Sequence, residues 1–530
     1  MLRKKCNGFK ILLIAEFLFL LVLLPGCFQE EKLVYYMAGE DVSDLAIREE
    51  SSVEFNSERM KLTPGVYRVE VQTQLVDEQS MYVEVKCDTS FFRTLRGNGI
   101  LTFAGNDDFD FEVYVLQEIP TAYVQCVFYG ADTDALVRLE ICKTGQGNRM
   151  LFVIMLLIFS VVDFMICFRK RILEGKVTVR QQVVFWTMTV GILLAYFPYL
   201  TDYFFFGEDT PFHLEQIAYL KDLMVQGNIF PVRAQSGWLY EQGYAISLFY
   251  GDLFLMIPAL LQLTGFSIMA SYKLFVLGVI AATALVVYHS FKRCVKDEYA
   301  ALFGSMVYLL TPYHIVTIYS RGAVGEYLAM IFLPLICCGA YLLFTEDMTA
   351  KDYKKYKWYI ILGASGVMQS YLTSMVIAAV LGVLVCLIFR KKAFRKQTFM
   401  QLLEATAIVL LINAWFWIPL TYSIYCNASV VLSLLQEEMQ VLSRWTAFAT
   451  VFISMFAAFL FKKVKAGQGY LAKAALGIAA VMIVGVAVYY VNTILFEADA
   501  VYLYAVENMR SVNVRNGEYL LTEFARFKMN

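Results

Sequence analysis

Histidine is nearly missing from this chain, with three residues, His213, His289 and His314, in 530. So few imidazoles, so far apart, give neither a metal cluster nor a nucleophilic triad. Charge is scarce as well, at 17% of residues, where soluble proteins carry about 25%. Lysine plus arginine (45) and aspartate plus glutamate (46) nearly cancel to a net charge of −1, so nothing points to nucleic acid. The eleven cysteines contain no C-x-x-C pair with zinc spacing. Cys337 and Cys338 are neighbours in an apolar run and read as small packing residues. Cys87, Cys126 and Cys142 share one segment, an odd set that allows one internal disulfide at most. No internal repeat and no low-complexity tract is present. Neither a metal site nor a cofactor is expected.

What the chain has instead is apolar length: 59% of it is hydrophobic, and several runs reach the ~20 residues that cross a bilayer as a helix. It reads as mainly α, a polytopic membrane protein. At the start, "MLRKK" precedes "ILLIAEFLFLLVLLPGC". A basic stretch before a short apolar run broken by Glu16 fits a signal anchor or a signal peptide over 1–27. "LLPGC" also has the look of a lipobox ending on Cys27. Either way the basic residues stay inside, and the chain from residue 28 is expected outside.

Residues 28–147 change character. "GVYRVEVQTQL", "MYVEVKC", "FDFEVYVL", "AYVQCVFYG" and "ALVRLEI" alternate apolar with polar residues, the period of half-buried strands. Turn signals separate them, and an extracytoplasmic β-sandwich domain is expected. "NDDFDFE" holds Asp108 and Asp110 in the D-x-D arrangement that nucleotide-sugar enzymes use for a metal. No nucleotide fold surrounds it, and it reads as loop acid between a turn and a strand.

The remainder is helical. Two spans are expected within 149–203, an outer loop with two interfacial helices over 204–266, a helical membrane domain over 267–496, and an outer tail over 497–530. The outer loop settles a charge problem. If 248–266 crossed the bilayer, the basic cluster "FKRCVK" at 291–296 would lie outside, against the positive-inside rule. Gly251, Asp252 and Pro258 suit a broken interfacial segment better. Later spans are expected at 268–291, 299–317, 323–344, a tight pair in 358–389, 399–421, 445–461 and 470–495.

The charge gathers in the outer loop. In 207–227, Thr210 suits an N-cap, Pro211 the first turn and Gly227 the stop. Ile217, Leu220 and Met224 share a face that excludes Glu215, Lys221 and Asp222, as in an interfacial amphipathic helix. Asp209 precedes the N-terminus, where the dipole favours its ionised form, and His213 lies one turn on. Arg321 begins a later span on the same side with Glu326 about one turn inside, and its planar fork suits a phosphate. Arg233, Glu241 and Lys273 face that side too. The plainer alternative makes Glu208 and Asp209 solvated capping acids and Arg321–Glu326 a helix-end anchor. Ionisable groups at the membrane edge are nonetheless functional candidates, because lipid penalises a charge by about 2.5–3.5 kcal/mol at its centre.

"GEDTPFHLEQIAYLKDLMVQGNIFP" and the following "YEQGYAISLFYGDLFLMIPALLQLTGFSIMASYKLFVL" resemble GT-C superfamily glycosyltransferases. "TPYHIVTIYSRGAVGEYLAMIFLP", "NAWFWIPL" and "NGEYLL" resemble a bacterial multipass family labelled 6-pyruvoyl-tetrahydropterin synthase-related, akin to YfhO-like membrane proteins. The similarity covers roughly 183–521. It implies transfer of a sugar from a polyprenyl-phosphate donor to a glycan or cell-envelope acceptor on the outer face of the cell membrane. It further implies Asp209 as general base, Arg321 with Arg233 or Lys273 on the departing phosphate, His213 and Glu241 orienting substrate, and Glu326 in the same binding set. Two departures stand out. "QSYLTS" carries Tyr371 where the family often has histidine, and the outer domain of larger relatives has little counterpart after "NGEYLL". The alternative is a non-catalytic protein that binds or translocates lipid-linked sugars or assists envelope assembly.

Overall fold

The computed structural model describes residues 2–38, 46–48, 52–75, 80–88, 94–101, 105–115, 117–129, 136–200, 204–205, 207–228, 251–349, 352–426, 442–466, 477, 485 and 500–501. Arg233, Glu241, the 470–495 span and the "NGEYLL" segment lie outside them. The chain divides into two compact units, one mainly Met1–Lys176, the other mainly Val177–Leu260 with Ile268–Tyr502.

In the first unit, helix α1 (Leu2–Leu23) precedes ten strands. They are β1 Lys32–Ala38, β2 Ala46–Arg48, β3 Ser52–Asn56, β4 Met60–Leu62, β5 Gly65–Leu75, β6 Ser80–Cys87, β7 Thr94–Leu101, β8 Gly105–Val115, β9 Ile119–Tyr129 and β10 Leu136–Thr144. One antiparallel sheet has the order β1-β10-β5-β8, and the other runs β2-β3-β9-β6-β7 with β4 also on β9. Val69 and Val71 of the first sheet join Val83, Val124 and Phe128 of the second in one apolar core. Alternation drives this, since period two puts every second residue on the same face. The residues between point outward, where Arg68 meets Glu31 and Glu70, and Arg138 meets Glu70 and Glu140. Asp108 and Asp110 stand inside β8, opposite Gln72 and Glu70 of β5, not in the expected loop. Cys87 and Cys126 are buried, Cys142 is half-buried, and none of the three is in a disulfide. Helix α2 (Gln146–Leu173) closes the unit.

The second unit is helical. Its elements are α3 (Val179–Tyr196), α4 (Thr210–Val225), α5 (Met256–Leu263), α6 (Ile268–Val295), α7 (Glu298–Leu309), α8 (Pro312–Tyr319) and α9 (Val324–Thr345). Then follow α10 (Lys357–Ser370), α11 (Leu372–Ile388), α12 (Lys396–Ile412), α13 (Ala414–Cys426) and α14 (Leu442–Lys465), with a one-turn helix, Arg390–Ala393, between α11 and α12. Among the described residues six helices are long and apolar enough to cross a membrane: Phe9–Phe28, Gln146–Leu173, Val179–Leu200, Ile268–Val295, Val324–Thr345 and Arg444–Lys465. Large apolar side chains such as Val190, Leu362 and Leu411 lie exposed on the helices. A surface of that kind is stable against lipid rather than water, and the chain is a multi-pass membrane protein with a small sheet domain.

Two helix pairs bend sharply at a short break. α7 and α8 meet at 42°, and α12 and α13 at 76°. Pro312 supplies the first break, because it has no N–H to continue the ladder. His314 Nδ1–H then donates to the stranded Leu309 carbonyl across 2.9 Å. At the second, Asn413 donates to Val409 O at 2.8 Å and to Ser365 Oγ at 3.0 Å. Its carbonyl accepts from Gln369 Nε2 at 2.9 Å.

Candidate functional site

Three helices of the second unit carry opposite chemistry at their two ends. α6 and α14 finish in basic turns, which meet Glu346 at the end of α9. There Lys296 pairs with Glu346 at 2.7 Å, Lys465 with Asp297 at 2.7 Å and Arg293 with Asp352 at 3.7 Å. Lys462 Nζ donates to Val295 O at 2.6 Å. Their other ends carry Tyr272, Glu326 and Arg444, and the acidic loop docks there.

That docking is a backbone clamp. Glu208 N donates to Ser320 O at 3.1 Å, and Asp209 N to Arg321 O at 2.8 Å. The turn closes on itself, because Thr210 N reaches Gly207 O at 3.1 Å and Gly207 N reaches Thr210 Oγ1 at 3.1 Å. Gly322 has φ +63, and a Cβ on it would overlap Thr210 Oγ1. A Cβ on Gly207 would overlap Gly322 N. Two bare backbones thus pass at a distance only glycine permits. Thr210 is the first residue of α4, and Asp209 holds the N-cap place without a side-chain capping bond. This corrects the expectation that Thr210 caps the helix. The Asp209 carboxylate makes no capping bond to its own helix.

Around Asp209 the charges close in. Arg321 Nη1 donates to Glu326 Oε2 at 2.6 Å, and the Tyr313 hydroxyl donates to Glu326 Oε1. Glu326 is buried and Arg321 is partly so. Arg444 acts electrostatically on both Asp209 and Glu326. It donates from Nη1 to the Tyr371 hydroxyl and lies 5.3 Å from the centre of that ring, a cation–π contact. Asp209 reaches the surface, yet the protein crowded about it strips water and raises its carboxyl above the usual value of 3.8. Arg321 opposes the rise, Glu208 adds to it, and Arg444 opposes it again. Desolvation is the largest of these effects and sets the direction.

The remaining candidates sit elsewhere. His213 is 3% exposed, and its Nδ1 approaches Gln216 Oε1 at 3.4 Å. Gln216 Nε2 donates to the buried Asp252 at 2.8 Å. Burial pushes His213 down to about 4, so it is neutral and faces protein. Its expected place at the mouth is corrected to a buried strut. Lys273 is buried too, 5.9 Å from the Tyr199 ring centre. Its neighbour Tyr272 links inward instead, to Tyr327 across 3.3 Å and to Thr210. Nothing in the sequence marks Tyr313 or Arg444 as a member of this cluster. The only signal for Tyr371 was that it replaces a histidine of the resembled family.

No family model matches this chain, and no curated protein matches it. Among solved structures, the oligosaccharyltransferase of Archaeoglobus fulgidus in complex with zinc and sulfate is similar. It is 12% identical over 59% of this chain and 40% of that one, with a TM-score of 0.38. Its apo form gives 11% identity over 65% of this chain and 40% of that one, with a TM-score of 0.37. This chain thus spans 40% of the length of those it is similar to, and the likeness is a distant one.

Proposed function

We propose that the chain is a GT-C-type glycosyltransferase working at the outer face of the membrane. Asp209 takes the proton from an acceptor hydroxyl, and that oxygen attacks the anomeric carbon of a polyprenyl-phosphate sugar. The bond from the anomeric carbon to the phosphate oxygen breaks, and the lipid phosphate leaves with the electron pair. Arg321 and Arg444 face the charge that develops there. The observation that carries this reading is the clamped Asp209: a desolvated carboxylate, not used for capping, beside two guanidinium groups. A raised carboxyl is a stronger base than an ordinary aspartate. The basic far ends of α6 and α14 support an outer location through the positive-inside rule. Arg233 and Glu241 remain expected members of the site.

A second reading, a protein that binds or translocates lipid-linked sugars without chemistry, is favoured by one observation. Arg321 and Glu326 already satisfy each other at 2.6 Å. Purified protein in detergent with a polyprenyl-phosphate sugar and an acceptor glycan separates the two. Glycosyl transfer by the native chain and none by Asp209→Asn supports catalysis. Donor binding by both without turnover supports the second reading.

A further inference from the structure

Glu16 is out of place. It sits in the apolar run of α1, followed by Phe17 and Leu18, which are 61% and 54% exposed, yet it is itself only 8% exposed. What covers it is α2. The Glu16 carboxyl lies in hydrogen-bonding reach of Asp163, the acidic residue in the apolar length of that helix. Asp163 Oδ1 is buried with no hydrogen-bond partner. Two further contacts fix the register. Phe19 meets Phe159 edge to face at 5.8 Å, and Asn148 Nδ2 donates to Gly26 O at 3.0 Å. From 26 to 19 to 16 on one strand of the hairpin, the partners climb from 148 to 159 to 163. The helices are antiparallel and joined at the end nearest the sheet domain. Glu16 is ten residues below Gly26, roughly 15 Å at helical rise, which is near the middle of a hydrocarbon layer about 30 Å thick.

Two ionised carboxylates accept hydrogen bonds but have none to donate. Side by side in an apolar layer they must hold one proton between them, as close like charges cannot both ionise. We propose that α1 is a resident helix of the working protein, clasped to α2 by a single proton shared between the Glu16 and Asp163 carboxyls. An acid so placed in lipid is a liability for a helix standing alone; against Asp163 it becomes the point of attachment. Cys27 then remains a thiol beside that joint, 3.6 Å from Leu23 O and 3.7 Å from Asn148 O. The clasp lies wholly within the first unit and does not depend on glycosyl transfer.

Intact mass of the full chain, purified from membranes by a C-terminal tag, is the first test. A mass that includes the residues before Cys27 is expected. A chain that begins at an acylated Cys27 overturns the proposal. The second test places Phe19→Cys and Phe159→Cys together and oxidises in native membranes. Mass spectrometry of the linked peptides gives the yield, with each single variant as control. Glu16→Leu should lower the yield several-fold, and Glu16→Lys should restore it as an ion pair with Asp163. An unchanged yield in Glu16→Leu, or a yield in Glu16→Lys no better than in Glu16→Leu, overturns the shared-proton clasp even where the mass is as expected.

Discussion

The backbone N–H of Asp209 donates to the carbonyl oxygen of Arg321 across 2.8 Å. A loop acid and a helix-end arginine far apart in sequence are thereby held by main chain, which side-chain motion does not loosen. The clamp joins the start of α4 to the segment between α8 and α9.

Gly322 is the weak point of that clamp. Gly322→Ala forces an L side chain into φ +63 and against Thr210, where the left-handed backbone alone costs about 1–2 kcal/mol. The thermal midpoint in detergent should fall by several degrees and transfer activity should fall with it. Gly227 has φ +84 but open space around it. Gly227→Ala should therefore cost stability alone, at constant specific activity. Equal effects of the two on activity would deny the clamp a role in the site.

Asp209 should set the acid limb of the pH profile. Its carboxyl is raised, so kcat/KM should drop as pH falls through a value above the ordinary ~3.9. Glu208 contributes to the rise. Glu208→Gln should accordingly move the acid limb to lower pH while leaving the plateau close to native. A shift in the opposite direction would assign the limb to another group.

Glu215 on α4 is half-buried, and its Oε2 has no hydrogen-bond partner. Burial pushes it up to about 7 from 4.5. Because the folded value lies above the unfolded one, the native state binds the proton more tightly. Stability is then lost as pH rises from about 4.5 to 7. Glu215→Gln should be more stable than native protein at pH 8 and indistinguishable at pH 4. Thermal unfolding at the two pH values decides it. His213 titrates in the same range with the opposite sign, but it is common to both proteins and cancels in the comparison.

Tyr371 holds Arg444 by its hydroxyl and by its ring. Tyr371→Phe keeps the ring and removes a hydrogen bond to a charged group, worth about 1.5–3 kcal/mol. A loss of roughly tenfold or more in kcat/KM is expected on that figure. Tyr371→Leu removes both contacts and should be worse. Equal activity of the two variants would mean that the hydroxyl alone matters.

Gln216 bridges His213 and Asp252 in a buried row. Gln216→Leu leaves the Asp252 carboxylate without that donor, a cost of about 1–3 kcal/mol. The expected result is a lowered unfolding midpoint. Asp252→Asn should be milder, since an amide oxygen still accepts from Gln216.

Much of the architecture is legible in the chain. Alternation in "GVYRVEVQTQL" marks β5 residue for residue, because strand period is a local property. The apolar runs around 268–291 and 323–344 mark α6 and α9 for the same reason. The breaks at Pro312 and Asn413 are harder to read, because each depends on a distant or turned-back partner for the freed backbone groups. Among the candidate residues, Asp209, Arg321 and Glu326 are visible as charges at span edges. His213 is misplaced by its neighbours, since adjacency to Asp209 in sequence says nothing of which helix face it occupies. Four positions on, it points into protein.

The order of amino acids determined by itself that this chain needs lipid, that one segment pleats into sheets, and where acids stand at the ends of apolar runs. Hydropathy and periodicity act between neighbours along the chain, so they survive without a fold. Tertiary packing alone decided that Arg444, held by Tyr371, acts on Asp209, and that Glu16 stands against Asp163. Those pairings bring together helices distant in sequence, and their energy exists only once close-packed elements have excluded water from between them.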